Sequence, residues 1–177
     1  TLAMVSRSRD AFSAVAGLCA ATPSQLALFN DKAAVSALAK TLGVPVPESF
    51  ERQPEEADEP FFSRVPLPCA VKPHCGESFG LTASQRYRIC RTKNELIAAF
   101  RHFQTLTNED PIVQEYLPGA AYGCSVLAKD GAVYRSLCHR RVREYPVSGG
   151  PSSCCESVSR SDLLAFSEAL VQETGFT

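Results

Sequence analysis

Leu67-Pro-Cys-Ala-Val-Lys-Pro-His-Cys-Gly-Glu-Ser-Phe-Gly80 carries three physical messages in succession. Leu67 to Val71 is a short apolar run of the buried-strand type. It stops abruptly at Lys72-Pro73, so a cation emerges where a strand meets a loop. From His74 to Gly80 the loop holds Gly76, Ser78 and Gly80, small residues that let backbone N–H groups come close to phosphate oxygens. It matches neither the Walker A pattern nor the dinucleotide fingerprint.

Outward from that stretch the chain alternates strand and helix patterns. On the amino-terminal side, Ala34, Val35, Leu38, Ala39 and Leu42 recur at helical spacing between an Asn30 cap and Gly43. Val44-Pro-Val-Pro47 then imposes extended backbone, continued as a short strand over Glu48 to Phe50. Gln53 to Pro60 reads as an acidic, solvated connector, and Arg9 to Cys19 as the one helix-like stretch before Asn30. On the other side, Arg86 to Arg91 alternates like a half-buried strand, and Thr92-Lys-Asn-Glu95 is a capping box opening a helix. Pro111 to Leu117 supplies the next strand. Tyr122 to Lys129 and Ala132 to Cys138 flank Asp130-Gly131, the dipeptide of a two-residue hairpin turn. A loop rich in glycine, proline and serine, Tyr145 to Cys155, precedes a last helix over Ser161 to Thr174 that Gly175 ends.

Composition narrows the function classes. A chain of 177 residues, 45% hydrophobic and 21% charged, suits one domain or two tightly joined subdomains. Its 18 Lys plus Arg nearly cancel 19 Asp plus Glu, so no field favours nucleic acid or an anionic membrane. There is no apolar run of the roughly 20 residues a membrane span needs, and Thr1 to Asp10 lacks a secretory core, so the expectation is a cytoplasmic protein. Of eight cysteines, Cys19, Cys69, Cys75, Cys90, Cys124 and Cys138 lie within apolar patterns and read as small buried, reduced thiols. The pair Cys154-Cys155 has no C-x-x-C partner for a zinc site.

Lys32, in the first turn of a helix, is electrostatically misplaced beside Asp31 unless a salt bridge or an anionic ligand holds it. Lys72 is equally readable as a solvated strand end. Arg140, Arg141 and Arg143 lie on one strand, whose alternation puts Arg140 on the opposite face from the other two.

Taken in order, Asn30-Asp-Lys32, Leu-Gly-Val-Pro-Val-Pro47, Ala-Val-Lys-Pro73 and Val-Gln-Glu-Tyr-Leu-Pro-Gly119 resemble the ATP-grasp series. The tail His139-Arg-Arg-Val-Arg-Glu-Tyr-Pro146 with Ser148-Gly-Gly-Pro-Ser152 is similar to carbamoyl-phosphate synthase-like and carboxylate–amine ligase members of that superfamily. The resemblance implies an α+β fold made of a small α/β nucleotide-binding subdomain and the start of a larger antiparallel-sheet subdomain. It divides the chain into a helical lead-in over 1–29, a small subdomain over 30–117 and the first part of the large subdomain over 118–177.

The same resemblance implies function. ATP would lie between the two subdomains, with Lys32 and Lys72 on its phosphates and the loop of Gly76, Ser78 and Gly80 closing over them. Gln114, Glu115, Tyr116 and Leu117 would form the segment whose backbone reads the adenine edge; the alternative is a plain core strand. Arg140, and less strongly Arg143, would serve the acyl phosphate or carboxylate substrate; a surface ion pair of Arg143 with Glu144 is the alternative. Mg2+ is implied with ATP, its ligands expected beyond Thr177, so the chain reads as a middle fragment inactive alone. Small-molecule carboxylate and amine substrates are the implied partners, with no nucleic acid and no membrane, and a homodimer is compatible with the full-length form. Ala121 departs from the acidic residue that many relatives carry after the hinge glycine. Two other readings stay open: a non-catalytic nucleotide-binding regulatory module, and an α/β interaction domain with a basic patch.

Overall fold

Prolines and caps cut the chain into short elements, and the computed structural model describes residues 2–75, 80–82, 85–145 and 151–177. In chain order the elements are α1 Leu2–Arg7, α2 Arg9–Ser13, α3 Pro23–Asn30, α4 Lys32–Thr41, β1 Ser49–Phe50, α5 Asp58–Arg64, β2 Cys69–Lys72, β3 Arg88–Cys90, α6 Lys93–Thr107, β4 Ile112–Glu115, β5 Tyr122–Lys129, β6 Ala132–Glu144, β7 Ser152–Ser157 and α7 Ser161–Thr174. None of the described helices is long and apolar enough to cross a membrane.

The chain forms two compact units. One comprises Pro45–Ala120 with Arg143–Ser153, the other Thr1–Val44, Ala121–Val142 and Cys154–Thr177. Helix α4, assigned from sequence to the subdomain beginning at Asn30, therefore groups with the helices before it.

In the first of these units the sheet runs β1-β4-β2-β3 with every pairing antiparallel. One face carries Cys69, Val71, Cys90 and Val113, packed against Phe61 and Phe62 of α5 and Leu96, Phe100 and Phe103 of α6. The Phe100 ring lies 5.4 Å from Phe61 and 5.3 Å from Phe62, tilted and edge-on, the arrangements favoured by ring quadrupoles. Helix α6 opens on the expected capping box: Thr92 Oγ1 accepts from Glu95 N at 3.3 Å, and the Glu95 carboxylate accepts from Thr92 N at 3.1 Å. Arg52 clamps the unit's edge by donating to both Asp110 carboxylate oxygens and to Asp58, each at 2.8 Å.

The other unit couples a helical layer to a hairpin. Ser6 Oγ, fully buried, donates to Ala21 O at 2.6 Å and fastens α1 to the loop before α3. The Gln25 amide donates to Gly175 O at 2.8 Å and Thr174 O at 3.2 Å, and Phe29 meets Phe176 edge-on at 4.9 Å, so α3 holds the end of α7. Asp130 and Gly131 both have positive φ, 50° and 81°, as the two-residue turn between β5 and β6 requires. Sheet order here is β5-β6-β7.

Five sequence expectations are corrected. Asn30 is the last residue of α3, and Asp31 is the true N-cap of α4, its carboxylate accepting from Ala33 N and Ala34 N at 2.9 and 3.1 Å. Three helices rather than one occupy the chain up to and including Asn30; α3 begins at a Thr22–Gln25 capping box with proline in its first turn. The connector Gln53 to Pro60 gives way to α5 at Asp58, where two acidic residues favour a helix start and two phenylalanines are buried. Beyond Cys138 β6 continues to Glu144, and β7 occupies the carboxyl half of the serine-rich loop as an exposed edge strand. Cys19 is exposed rather than buried, whereas Cys69, Cys90 and Cys138 are buried free thiols.

Candidate functional site

Alternation along β2 and β4 sorts the residues around Lys72 into two sets. Cys69, Val71 and Val113 point into the α5–α6 core. Opposed residues in an antiparallel pair share a face, so Ala70, Ile89 and Gln114 lie on the other face, together with Lys72 and its partner Ile112. The face opposite the α5–α6 core thus carries apolar Ala70, Ile89 and Ile112, the last only 7% exposed, with an ammonium at one end. Lys72 is half-buried, and Pro73 after it is fully buried.

The expected hinge segment leaves the sheet at the far end of the same strands. Gln114 is 3% exposed and its amide donates to Ser49 Oγ at 2.9 Å. The Glu115 carboxylate accepts from Glu48 N at 2.9 Å, and Tyr116 N donates to Pro68 O at 3.2 Å. The Gln114 and Glu115 side chains thus tie β1 to β4, which leaves recognition of a ligand edge by this segment to backbone and to Leu117, 61% exposed. Cys69 stands opposite Glu115 and Lys72 opposite Ile112, so three residues, about 10 Å along the strands, separate the lysine from the hinge. Gly80 is exposed with φ 62°, a left-handed conformation that suits glycine. Gly76 and Ser78 lie outside the described residues.

Sequence reading missed the phenol group beside this segment. Tyr87 holds its proton above the usual tyrosine range, first through burial and then through the nearby Glu144 carboxylate and the Tyr116 phenol. The only sequence trace of it is the alternation of Arg86 to Arg91, which leaves Tyr87 half-buried.

Lys32 and Arg140 belong to the other unit. Lys32 is the first helical residue of α4, half-buried, directly after the Asp31 cap. Arg140 stands opposite Tyr122 on β5, and its Nε donates to Glu156 of β7 at 2.7 Å, both side chains being roughly half exposed (44% and 50%). Arg160 stacks 4.8 Å over the Tyr122 ring and pairs with Asp162, which its guanidinium holds down at about 2. Arg143 is exposed at the end of β6, its carbonyl accepting from Ser152 Oγ at 3.5 Å. Among the described residues no three His, Cys, Asp or Glu side chains are grouped so as to hold a metal ion.

No protein-family model and no curated protein sequence matches the chain. Solved structures do. The biotin carboxylase domain of Hydrogenobacter thermophilus 2-oxoglutarate carboxylase, in complex with MgADP, ADP and bicarbonate, aligns with a TM-score of 0.67 over 99% of this chain and 41% of that one, at 16% identity. D-alanine–D-alanine ligase from Bacillus anthracis aligns with a TM-score of 0.57 over 86% of this chain and 52% of that one, at 18% identity. N5-carboxyaminoimidazole ribonucleotide synthetase from Thermus thermophilus aligns with a TM-score of 0.56, over 85% and 40% respectively, at 17% identity. The chain has the ATP-grasp fold and spans about half or less of the length of these neighbours.

Proposed function

We propose that the chain is the nucleotide-binding portion of an ATP-dependent ligase of the carboxylate–amine or a related type, working through an acyl phosphate. The observation that carries this reading is the sheet face of Pro45–Ala120. An apolar floor of Ala70, Ile89 and Ile112 carries a cation at one end and a backbone segment about 10 Å away at the other. A purine resting on such a floor, with its edge against the backbone of Gln114 to Leu117, would extend its phosphates toward Lys72. The MgADP complex among the fold's neighbours supports a nucleotide as occupant.

In this reading Lys72 neutralises phosphoryl charge as it develops, aided by amides of the Gly76, Ser78 and Gly80 loop, with no reorganisation cost at the moment of transfer, and Lys32 is a candidate phosphate contact of its own unit. Arg140 is the candidate for the carboxylate or acyl phosphate, exchanging Glu156 for substrate; Arg143 is the weaker candidate. Mg2+, when bound, would supply counter-charge to the phosphates. The described residues do not offer it a ligand cluster, so no step is assigned to metal held by them. The division into a small subdomain over 30–117 and the first part of a large one over 118–177 belongs to this proposal. The carboxylate and amine substrates, the soluble cytoplasmic setting and a homodimeric full-length form belong to the same proposal.

The test is nucleotide-dependent thermal stabilisation. A ligand selective for the folded state must raise the melting temperature, by roughly 2.7 kcal/mol of stability at a hundredfold excess over Kd. ADP with Mg2+ should raise it for the wild type and fail to for Lys72→Ala, each compared with its own melting temperature without nucleotide. An unchanged wild-type melting temperature at saturating ADP and ATP would leave the interaction-domain reading in place. Binding without ADP release by the complete protein across carboxylate and amine panels would favour the regulatory module, which Ala121 already favours by offering no side-chain hydrogen bond to a ribose.

A further inference from the structure

Two cysteine pairs face each other across neighbouring strands, Cys69 with Cys90 on β2 and β3, and Cys124 with Cys138 on β5 and β6. Backbone phase separates them. The Arg141 N–H donates to Ala121 O at 2.8 Å, which makes that opposed pair hydrogen-bonded; the alternation of an antiparallel ladder then makes Cys124–Cys138 a non-hydrogen-bonded pair. In agreement, the Cys138 carbonyl turns the other way and accepts from Val158 N at 2.9 Å. At such positions Cα atoms approach to about 4.5 Å and side chains are closest, within the roughly 4.4–6.8 Å that a disulfide spans. In β2 the bond from Tyr116 N to Pro68 O sets the opposite phase, so Cys69–Cys90 is a hydrogen-bonded pair with wider spacing, and both thiols are buried, 0% and 1% exposed.

Access distinguishes the pairs too. Cys124 is half-buried, and Cys138, 8% exposed, lines a cavity of about 510 Å³ with Ser136, Leu137, Ser157, Arg160 and Leu164. Cys138 Sγ lies 3.6 Å from Arg160 O. The Cys138 thiol keeps its proton above the usual range, chiefly through its hydrogen bond with Cys124 and then through burial.

We propose that Cys124 and Cys138 are a reversible oxidation site, a dithiol that hydrogen peroxide converts to a cross-strand disulfide. The Cys124 thiolate attacks one peroxide oxygen; the O–O bond breaks, Cys124 becomes a sulfenic acid and the other oxygen leaves as hydroxide, which takes up a proton. Cys138 then gives up its proton and attacks the Cys124 sulfur, expelling the sulfenic oxygen as water. Two thiols are oxidised and one peroxide is reduced to two waters. The disulfide pins the register of β5 against β6. This site is independent of the nucleotide reading.

The experiment exposes the whole chain to hydrogen peroxide, blocks remaining thiols with N-ethylmaleimide, and maps peptides by mass spectrometry with and without dithiothreitol. The expected result is a Cys124–Cys138 peptide lighter by two hydrogens, formed before any Cys69–Cys90 link and reversed by dithiothreitol. Melting temperature should shift upward on oxidation, because the bond restricts the unfolded chain. Cys138→Ser should trap Cys124 as a dimedone-reactive sulfenic acid without that shift, and near-native circular dichroism of the variant would verify its fold. Linkage at Cys69–Cys90 first, or Cys124 oxidation that never links to Cys138 in the wild type, overturns the proposal.

Discussion

Lysines in the first turn of a helix oppose the macrodipole, and this chain contains two. Lys93 shows a structural resolution. Its ammonium reaches away from α6 to the carbonyls of Phe62, Ser63 and Val65, the oxygens left unsatisfied at the end of α5. A first-turn lysine therefore has a second solution besides an anionic ligand within the same molecule, and Lys32 needs its own test. Lys93→Ala should cost about 1–3 kcal/mol, since it strands partly buried carbonyls without their donor. Urea denaturation of the variant measures it, and a loss below a few tenths would mean that water replaces the ammonium. For Lys32→Ala the discriminating readout is the ADP-induced shift in melting temperature, expected to shrink if the side chain meets phosphate.

Single elements show how caps and burial cooperate. Helix α6 buries Leu96, Ala99, Phe100 and Phe103 along one face and begins on reciprocal Thr92–Glu95 bonds. Thr92→Ala removes one half of the box and should destabilise by about 1 kcal/mol. Phe100→Ala, in a site with two ring neighbours and 2% exposure, should cost about 3–5 kcal/mol through lost transfer energy and an unfilled cavity. Chemical denaturation of both variants should rank them in that order; a Thr92→Ala loss as large as the Phe100→Ala loss would mean that the cap, not the core, governs α6. The capping box and the apolar spacing behind it were legible because both are local. Helix α5 was not, because its burial of Phe61 and Phe62 depends on α6, thirty residues onward, while its neighbours in sequence are acidic and solvated.

Across the whole molecule, acid should act through partly exposed ion pairs in both units. Glu56 is held at about 2 against an ordinary 4.5, first by its hydrogen bond from Arg64 and then by the Gln53 N–H; Asp162 is held at about 2 against 3.8, first by Arg160. Both folded values are depressed, so the stabilisation is present above the unfolded values and is lost as pH falls through the folded ones. Melting temperature should thus decline between roughly pH 4.5 and 2, less steeply at high salt, where exposed pairs are screened. Glu56→Gln and Asp162→Asn together should flatten that decline. An unchanged slope would assign acid sensitivity to other carboxylates.

Local rules were enough for the hairpin turn at Asp130-Gly131, the Gly175 stop of α7, the strand that delivers Lys72 and, through ordered motifs, the fold they build. Each of those depends on dihedral preferences or hydrophobic spacing within a few residues. Register and face escaped that reading. Nothing in Cys69-Ala-Val-Lys72 says which side the α5–α6 core will cover, so the apolar floor beside Lys72 emerges from pairing with β3 and β4. Nor can spacing alone set Cys124 against Cys138, or give Arg140 the Glu156 carboxylate, because a one-residue slip would send every side chain to the opposite face. Asn30 and Asp31 were equally good caps by residue type; the choice fell to Asp31 because α3 runs through Asn30 and ends there.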